Sequence, residues 1–174
     1  MNEIRLLFGK PAIQDRGLLI SAMKELQSRH GCIAQALDAN LVVSERHISF
    51  ATEKALAAFS EERNIAKDRG LEIMRYASGE RQIERAFIMG ISDRTKRIAL
   101  VLVDPDGLYP NRQCTWPDDR ELSRIIEPDR LGCMFDASSV MQAFHISSEE
   151  LQAVGEERIA DLVIERVALA DTYR

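Results

Sequence analysis

The stretch that decides the fold is Lys96-Arg97-Ile98-Ala99-Leu100-Val101-Leu102-Val103. Six consecutive apolar residues follow two cations and are too few for a buried helix. A run of this kind predicts a strand covered on both faces. Working outward, Ile4–Gly9 is a second short apolar strand and Cys32–Leu37 a third. Between those two, Gly17–Arg29 carries Leu18, Leu19, Ala22, Met23 and Leu26 at helical spacing, with Gly31 placed for a left-handed cap. Asp38-Ala39-Asn40 reads as a turn. Ser44 reads as the N-cap of a helix from Glu45 to about Arg63, with Ile48, Ala51, Thr52, Ala55, Leu56 and Phe59 on one face. Asp68 caps a helix ending near Ala77. Gly79 breaks it, and Glu80–Met89 restarts with Ile83, Ala86 and Phe87 inward.

Beyond the decisive strand, Asp104–Asp119 holds three of the five prolines and reads as a long loop. A short helix over Asp119–Ile126, a weak strand over Leu131–Phe135 and a weak helix over Ser138–Phe144 follow. Ser147 and Glu150 form a capping-box pattern. The last helix, about Glu156–Tyr173, turns Ile159, Leu162, Val163, Val167 and Ala170 to one side. Three strands among many helices, without strict βαβ alternation, predict an α/β (α+β) fold. We read it as one domain over residues 1–174, a small sheet with helices packed on it.

Composition narrows the function classes. The 174 residues are 45% hydrophobic and 29% charged, which is globular and argues against disorder. No window holds the ~20 apolar residues of a membrane span. The start, Met1-Asn2-Glu3-Ile4-Arg5, lacks the basic and apolar regions of a signal peptide, so a cytoplasmic location is expected. Cys32, Cys114 and Cys133 are an odd number at wide spacing, which predicts neither a disulfide framework nor a CxxC site. His30, His47 and His145 lie far apart, without metal-ligand spacing. There is no GxGxxG, GxxxxGKS or GxSxG. The reading is therefore no enzyme, no cofactor, no metal and no small-molecule substrate.

Net charge is −5, yet it divides unevenly. Residues 1–100 hold 16 basic and 13 acidic residues, residues 101–174 hold 7 and 15, and the window 63–97 holds 9 against 5. That window contains Asn64–Ile83, in which Lys67, Arg69, Arg75 and Arg81 surround a helix–Gly–helix junction. Ala77-Ser78-Gly79 is read as preceding a helix N-terminus, where free N–H groups and the dipole favour an anion. Arg81 in the first turn opposes that dipole unless it meets an external anion or pairs with Glu80 or Glu84. Both readings of Arg81 stay open at this level.

Several blocks carry a family resemblance: Ala36-Leu37-Asp38-Ala39, Ser44-Glu45-Arg46-His47-Ile48-Ser49-Phe50-Ala51, Tyr76-Ala77-Ser78-Gly79-Glu80-Arg81-Gln82-Ile83, His145-Ile146-Ser147, and Asp161-Leu162-Val163-Ile164-Glu165-Arg166-Val167-Ala168-Leu169. Together they resemble the small kinase-binding subunit of the KEOPS complex, the TPRKB family in eukaryotes, in its archaeal form. Residues 104–135 carry little of this likeness. The resemblance implies a non-catalytic regulatory subunit in tRNA processing, specifically in forming N6-threonylcarbamoyladenosine. Its implied partners are the KEOPS kinase/ATPase and the single-stranded 3′ CCA end of tRNA.

Single-strand recognition combines phosphate neutralisation with base contacts. On that basis Lys67, Arg75 and Arg81 are expected to meet phosphates. Ser78 and Gly79 are expected to give close backbone approach, and His47 to stack or hydrogen-bond. Tyr76 is expected in the core. Ile164 and Leu169 lie off the core line of the last helix and are expected to face the kinase. The alternative is a protein-interaction module that regulates the kinase without touching RNA.

Overall fold

In the computed structural model, which describes residues 3–105 and 114–172, the run at 98–103 forms the middle of a four-stranded antiparallel sheet. In chain order the elements are β1 (Glu3–Pro11), α1 (Arg16–His30), β2 (Ile33–Asp38), α2 (Glu45–Ser60), α3 (Arg69–Ser78), α4 (Ile83–Ala86), β3 (Ile98–Asp104), α5 (Asp119–Leu122), β4 (Ile126–Pro128), α6 (Ala137–Ala143), α7 (Ser148–Val154) and α8 (Ile159–Ala168). The fold class is α/β, as expected. Residue contacts divide the chain into two units: 1–38 with 91–132, and 39–90 with 133–174.

The first unit holds the whole sheet, in the order β2-β3-β1-β4. Every residue from Ile98 to Val103 is buried, so both faces of β3 are covered. Its partners are antiparallel: Glu3–Gly9 of β1 run against Asp104–Ile98, and Ile33–Asp38 of β2 against Val103–Ile98. One face of β3 (Ile98, Leu100, Leu102) packs with Leu19, Met23 and Leu26 of α1 and with Ala34 and Ala36 of β2. Asp15 caps α1 by accepting from the Leu18 N–H, and Gly31 closes it at φ 72°. Leu18, expected on the apolar stripe, is 63% exposed, while Leu19 beside it is buried with Met23 and Leu26.

Two further expectations are corrected here. The helix predicted over Asp119–Ile126 stops at Leu122, and Ile126 begins β4. The strand predicted at Leu131–Phe135 is irregular chain. Pairing ends where the Asp129 N–H donates to the Phe8 carbonyl and Asp129 turns its carboxylate to Arg97 (2.7 and 2.8 Å) and to the Leu131 N–H. Half of the expected Asp104–Asp119 loop, 106–113, lies outside the described residues, and 114–118 is irregular chain. At the end of α1, His30 holds Thr115 Oγ1 through Nδ1 (2.9 Å) and Glu121 through Nε2 (3.0 Å), and Arg29 adds a 2.7 Å contact to Glu121. The hydrogen bonds from His30 and Arg29 lower the Glu121 carboxyl to a pKa of about 2.

The second unit is helical. Ser44 caps α2 through the His47 N–H, Asp68 caps α3 through the Leu71 N–H, and Ser147 caps α7 through the Glu150 N–H. Ile48, Ala51, Ala55 and Leu56 of α2 are buried, as are Ile159, Leu162, Val163 and Val167 of α8. The predicted helix over 80–89 is corrected: α4 is one turn and passes into a 3-10 turn at Phe87–Met89. Three residues per turn bury Ala86 and Met89 together and turn Phe87 outward, at 58% exposure.

Gly9 sits where β1 meets β3 and β4 together, opposite Ile98 and Pro128. A Cβ there would collide with the Glu127 carbonyl oxygen. Gly9→Ala should therefore destabilise the protein by about 1–3 kcal/mol through overpacking. Urea unfolding checks this, and an unchanged midpoint would contradict the close approach.

Candidate nucleic-acid interface

The basic stretch 63–97 includes α3, and α3 is buried on nearly every side: Gly70 and all of Glu72–Ser78 are inaccessible. Helix spacing puts Glu72 and Arg75 side by side, three residues apart. Their Oε1–Nη2 distance is 2.8 Å, and neither side chain has any exposure. Glu72 also accepts the N–H groups of Ala66 (2.8 Å) and Ile65 (3.3 Å). Arg75 donates through Nη1 to the Glu80 carbonyl (3.2 Å) and through Nη2 to Asp171 (3.5 Å). Asp171 also accepts from the Tyr76 hydroxyl at 2.7 and 2.8 Å. Burial pulls against the Arg75 charge, but the hydrogen bond and attraction of Glu72 outweigh it and raise its pKa. Arg75 is therefore an internal cation, and the expectation that it meets a phosphate is corrected.

His47 is corrected in the same way. It is fully buried on α2, with Nε2 2.7 Å from the Ala77 carbonyl and Nδ1 3.4 Å from the Val43 N–H. The Ala77 carbonyl only accepts, so Nε2 carries the proton, and Nδ1 accepts from the Val43 N–H, so the ring is neutral. Its edge meets the Phe144 ring, with centroids 5.7 Å apart. Burial pushes the imidazole pKa down to about 4. His47 thus links α2 to the end of α3 and presents no ring to a base. Tyr76 is in the core, as expected.

Ser78 and Gly79 occupy the opposite pole from the one expected. They end α3, where carbonyls rather than N–H groups are left over. Ser78 Oγ donates to the Arg75 carbonyl (2.6 Å) and accepts the Glu80 N–H (3.1 Å). Gly79 is the left-handed cap at φ 70°, with its N–H on the Tyr76 carbonyl. A Cβ at Gly79 would press on Arg166 at 3.0 Å. Arg81 precedes α4, so the dipole argument made for it does not apply. Arg81 is nevertheless exposed, and so is Lys67. They lie on segments at opposite ends of the ten-residue α3, which separates those ends by about 15 Å.

One further residue joins the Arg81 end. His145 is exposed and takes the left-handed conformation (φ 54°) after α6, with Nε2 3.3 Å from Glu80. The Ile146 and His145 N–H groups return to the Met141 and Gln142 carbonyls, a helix-end motif whose left-handed position is usually glycine. The block His145-Ile146-Ser147 carries part of the family resemblance, but only the packing of α6 near Glu80 brings His145 to the Arg81 end. On α8, Ile164 and its C-cap Leu169 are half-buried. Phe87 and Ile88 form a more exposed apolar pair.

Burial raises the pKa of Cys32, and burial with Asp104 raises that of Cys114 to about 11, so both thiols stay protonated. Among the described residues no cluster of three or more His, Cys, Asp or Glu side chains is arranged to hold a metal, and no helix is long and apolar enough to cross a membrane.

The His47 pKa sets a pH dependence. It lies near 6.5 in an unfolded chain and about 4 in the fold, so the unfolded state takes up the proton first. Stability is complete above pH 6.5 and falls as pH drops toward 4, by up to about 3 kcal/mol. Thermal melts from pH 7 to 4.5 should show this loss for the native chain and a shallower one for His47→Gln. Equal slopes would contradict the assignment.

The chain matches the protein family described as kinase binding protein CGI-121 over residues 16–171, which include every helix of both units. No curated protein matches it. A match of that extent agrees with the resemblance carried by the residues around His47, Ser78–Ile83 and Asp161–Leu169. The chain belongs to the CGI-121 family of kinase binding proteins.

Proposed function

We propose that this chain is a non-catalytic subunit of a KEOPS complex of the archaeal type. It docks on the kinase/ATPase of that complex and recruits tRNA through the 3′ CCA end in the cytoplasm. The family supports a kinase partner. The observation that carries the RNA part is the placement of Lys67 and Arg81, both exposed, at the two ends of α3 in the most basic part of the chain. Two cations on segments at opposite ends of a helix about 15 Å long suit a stretch of single strand better than a single phosphate. Gly79 keeps the backbone low beside Arg81, and His145 adds an exposed ring. With Arg75, His47 and the Ser78 hydroxyl turned inward, the proposed contacts are Lys67, Gly79, Arg81 and His145.

Intact tRNA should bind, and tRNA trimmed of its CCA end should bind far more weakly. Lys67→Ala and Arg81→Ala should each weaken binding and lower the log–log salt slope by about one unit. No binding to either tRNA would favour the second reading, a kinase regulator that never touches RNA; the overall charge of −5 favours that reading.

For the kinase, the proposed surface is Ile164 with Leu169, apolar residues off the buried line of α8. Ile164→Asp should abolish co-elution with the kinase from a folded protein, while Phe87→Asp should leave it intact. The reverse result would move docking to the turn after α4.

A further inference from the structure

The two exposed cations of the proposed RNA site sit on separate segments, and one buried pair touches the backbone of both. Glu72 accepts the N–H groups of Ile65 and Ala66, the residues just before Lys67. Arg75 donates to the carbonyl of Glu80, the residue just before Arg81. The pair is closed between them at 2.8 Å. A continuous bridge therefore runs from the chain beside Lys67, through two side chains with no solvent access, to the chain beside Arg81. On the Lys67 side the Asn64 amide adds a hydrogen bond to the Ala66 carbonyl at 2.9 Å.

Stability alone does not call for this arrangement. Exchanging a buried ion pair for packed apolar side chains is often neutral or stabilising. What an apolar pair cannot do is hold a backbone N–H on one side and a backbone carbonyl on the other. The Glu72–Arg75 bridge does both, at the two places where exposed cations follow.

We propose that Glu72 and Arg75 are positioning residues that fix the spacing and direction of Lys67 and Arg81 for a single-stranded RNA backbone. This rests on the tRNA reading above and adds what orders the site. Neither residue touches RNA. With the bridge intact, the two segments are ordered before the ligand arrives; without it, their ordering is charged against binding. The number of phosphates neutralised stays the same, so the salt dependence stays the same while affinity falls. Loss of a contact cation differs, because it lowers the slope as well.

The test uses the full chain with intact tRNA in salt titrations, beside amide hydrogen exchange. Glu72→Gln should weaken binding about tenfold, keep the wild-type salt slope and speed exchange at Ala66. Should that variant fail to fold, the double variant Glu72→Leu with Arg75→Met removes the buried charges together and should show the same three changes. Arg75→Lys, which keeps a charge but loses the fork, should fall between. Wild-type affinity in a folded Glu72 or double variant with faster Ala66 exchange would overturn the proposal, as would a slope lowered by a full unit. Wild-type binding by both Lys67→Ala and Arg81→Ala would instead sink the RNA reading, and those controls keep the two failures apart.

Discussion

A guanidinium shut away from water has to find its partners inside the protein, and Arg75 finds them on three sides. Glu72 neutralises it, the Glu80 carbonyl takes one nitrogen, and Asp171 reaches it from beyond α8. Each partner belongs to a different segment of the helical unit. The requirement that this one charge be satisfied therefore fixes where the chain after α3 and the C-terminal turn must lie, and Glu72 carries the tie on to the chain before α3. Tyr76 and Ser78 serve the same end of α3, the first through Asp171 and the second through the Arg75 carbonyl. Removing only one partner of such a pair leaves a buried charge uncompensated, at a cost of roughly 3–5 kcal/mol.

This changes the meaning of the basic stretch. Its cations divide by what surrounds them rather than by their spacing in sequence. Arg75 is consumed inside, and Arg97 is held by Asp129 against the Phe8 ring. Arg63 lies between Glu61 and Asp171. Lys67 and Arg81 stand on the surface. A net charge of −5 is compatible with a local grip on an anion because such a grip needs a few well-placed cations, not a basic average.

Much of the architecture was legible beforehand. Ile98–Val103 could be assigned because a continuous apolar run has nowhere to go but the interior. Ser44, Asp68 and Ser147 could be assigned because a short polar side chain before an amphipathic run satisfies N–H groups that the helix cannot. Phe87 could not be assigned. An assumed period of 3.6 turned it inward, and the change to a 3-10 turn after Ala86 turned it out. The short helix expected from Asp119 does open there, on a full capping box between Asp118 and Glu121 that the sequence reading does not name. Of the proposed site, Lys67 and Arg81 are legible in the sequence only as charged positions, and their exposure comes from the structure. His47, Ser78 and Arg75 were given to the ligand because a polar residue in a basic stretch looks the same in sequence whether water or a neighbouring helix covers it.

By itself, then, the sequence determined the fold class, the central strand, most helix starts and the family, since each depends on local chemistry or on residue identity in order. The tertiary structure alone decided which polar groups face inward. Glu72 and Arg75 at i and i+3 are the pattern of an ordinary solvated helix face. They are buried because α3 packs against α2 and α8 and because Asp171 closes over the end of the pair. Burial is a property of what lies on the far side of a residue, supplied here by a neighbouring helix and by chain nearly a hundred positions away, and no local spacing encodes it.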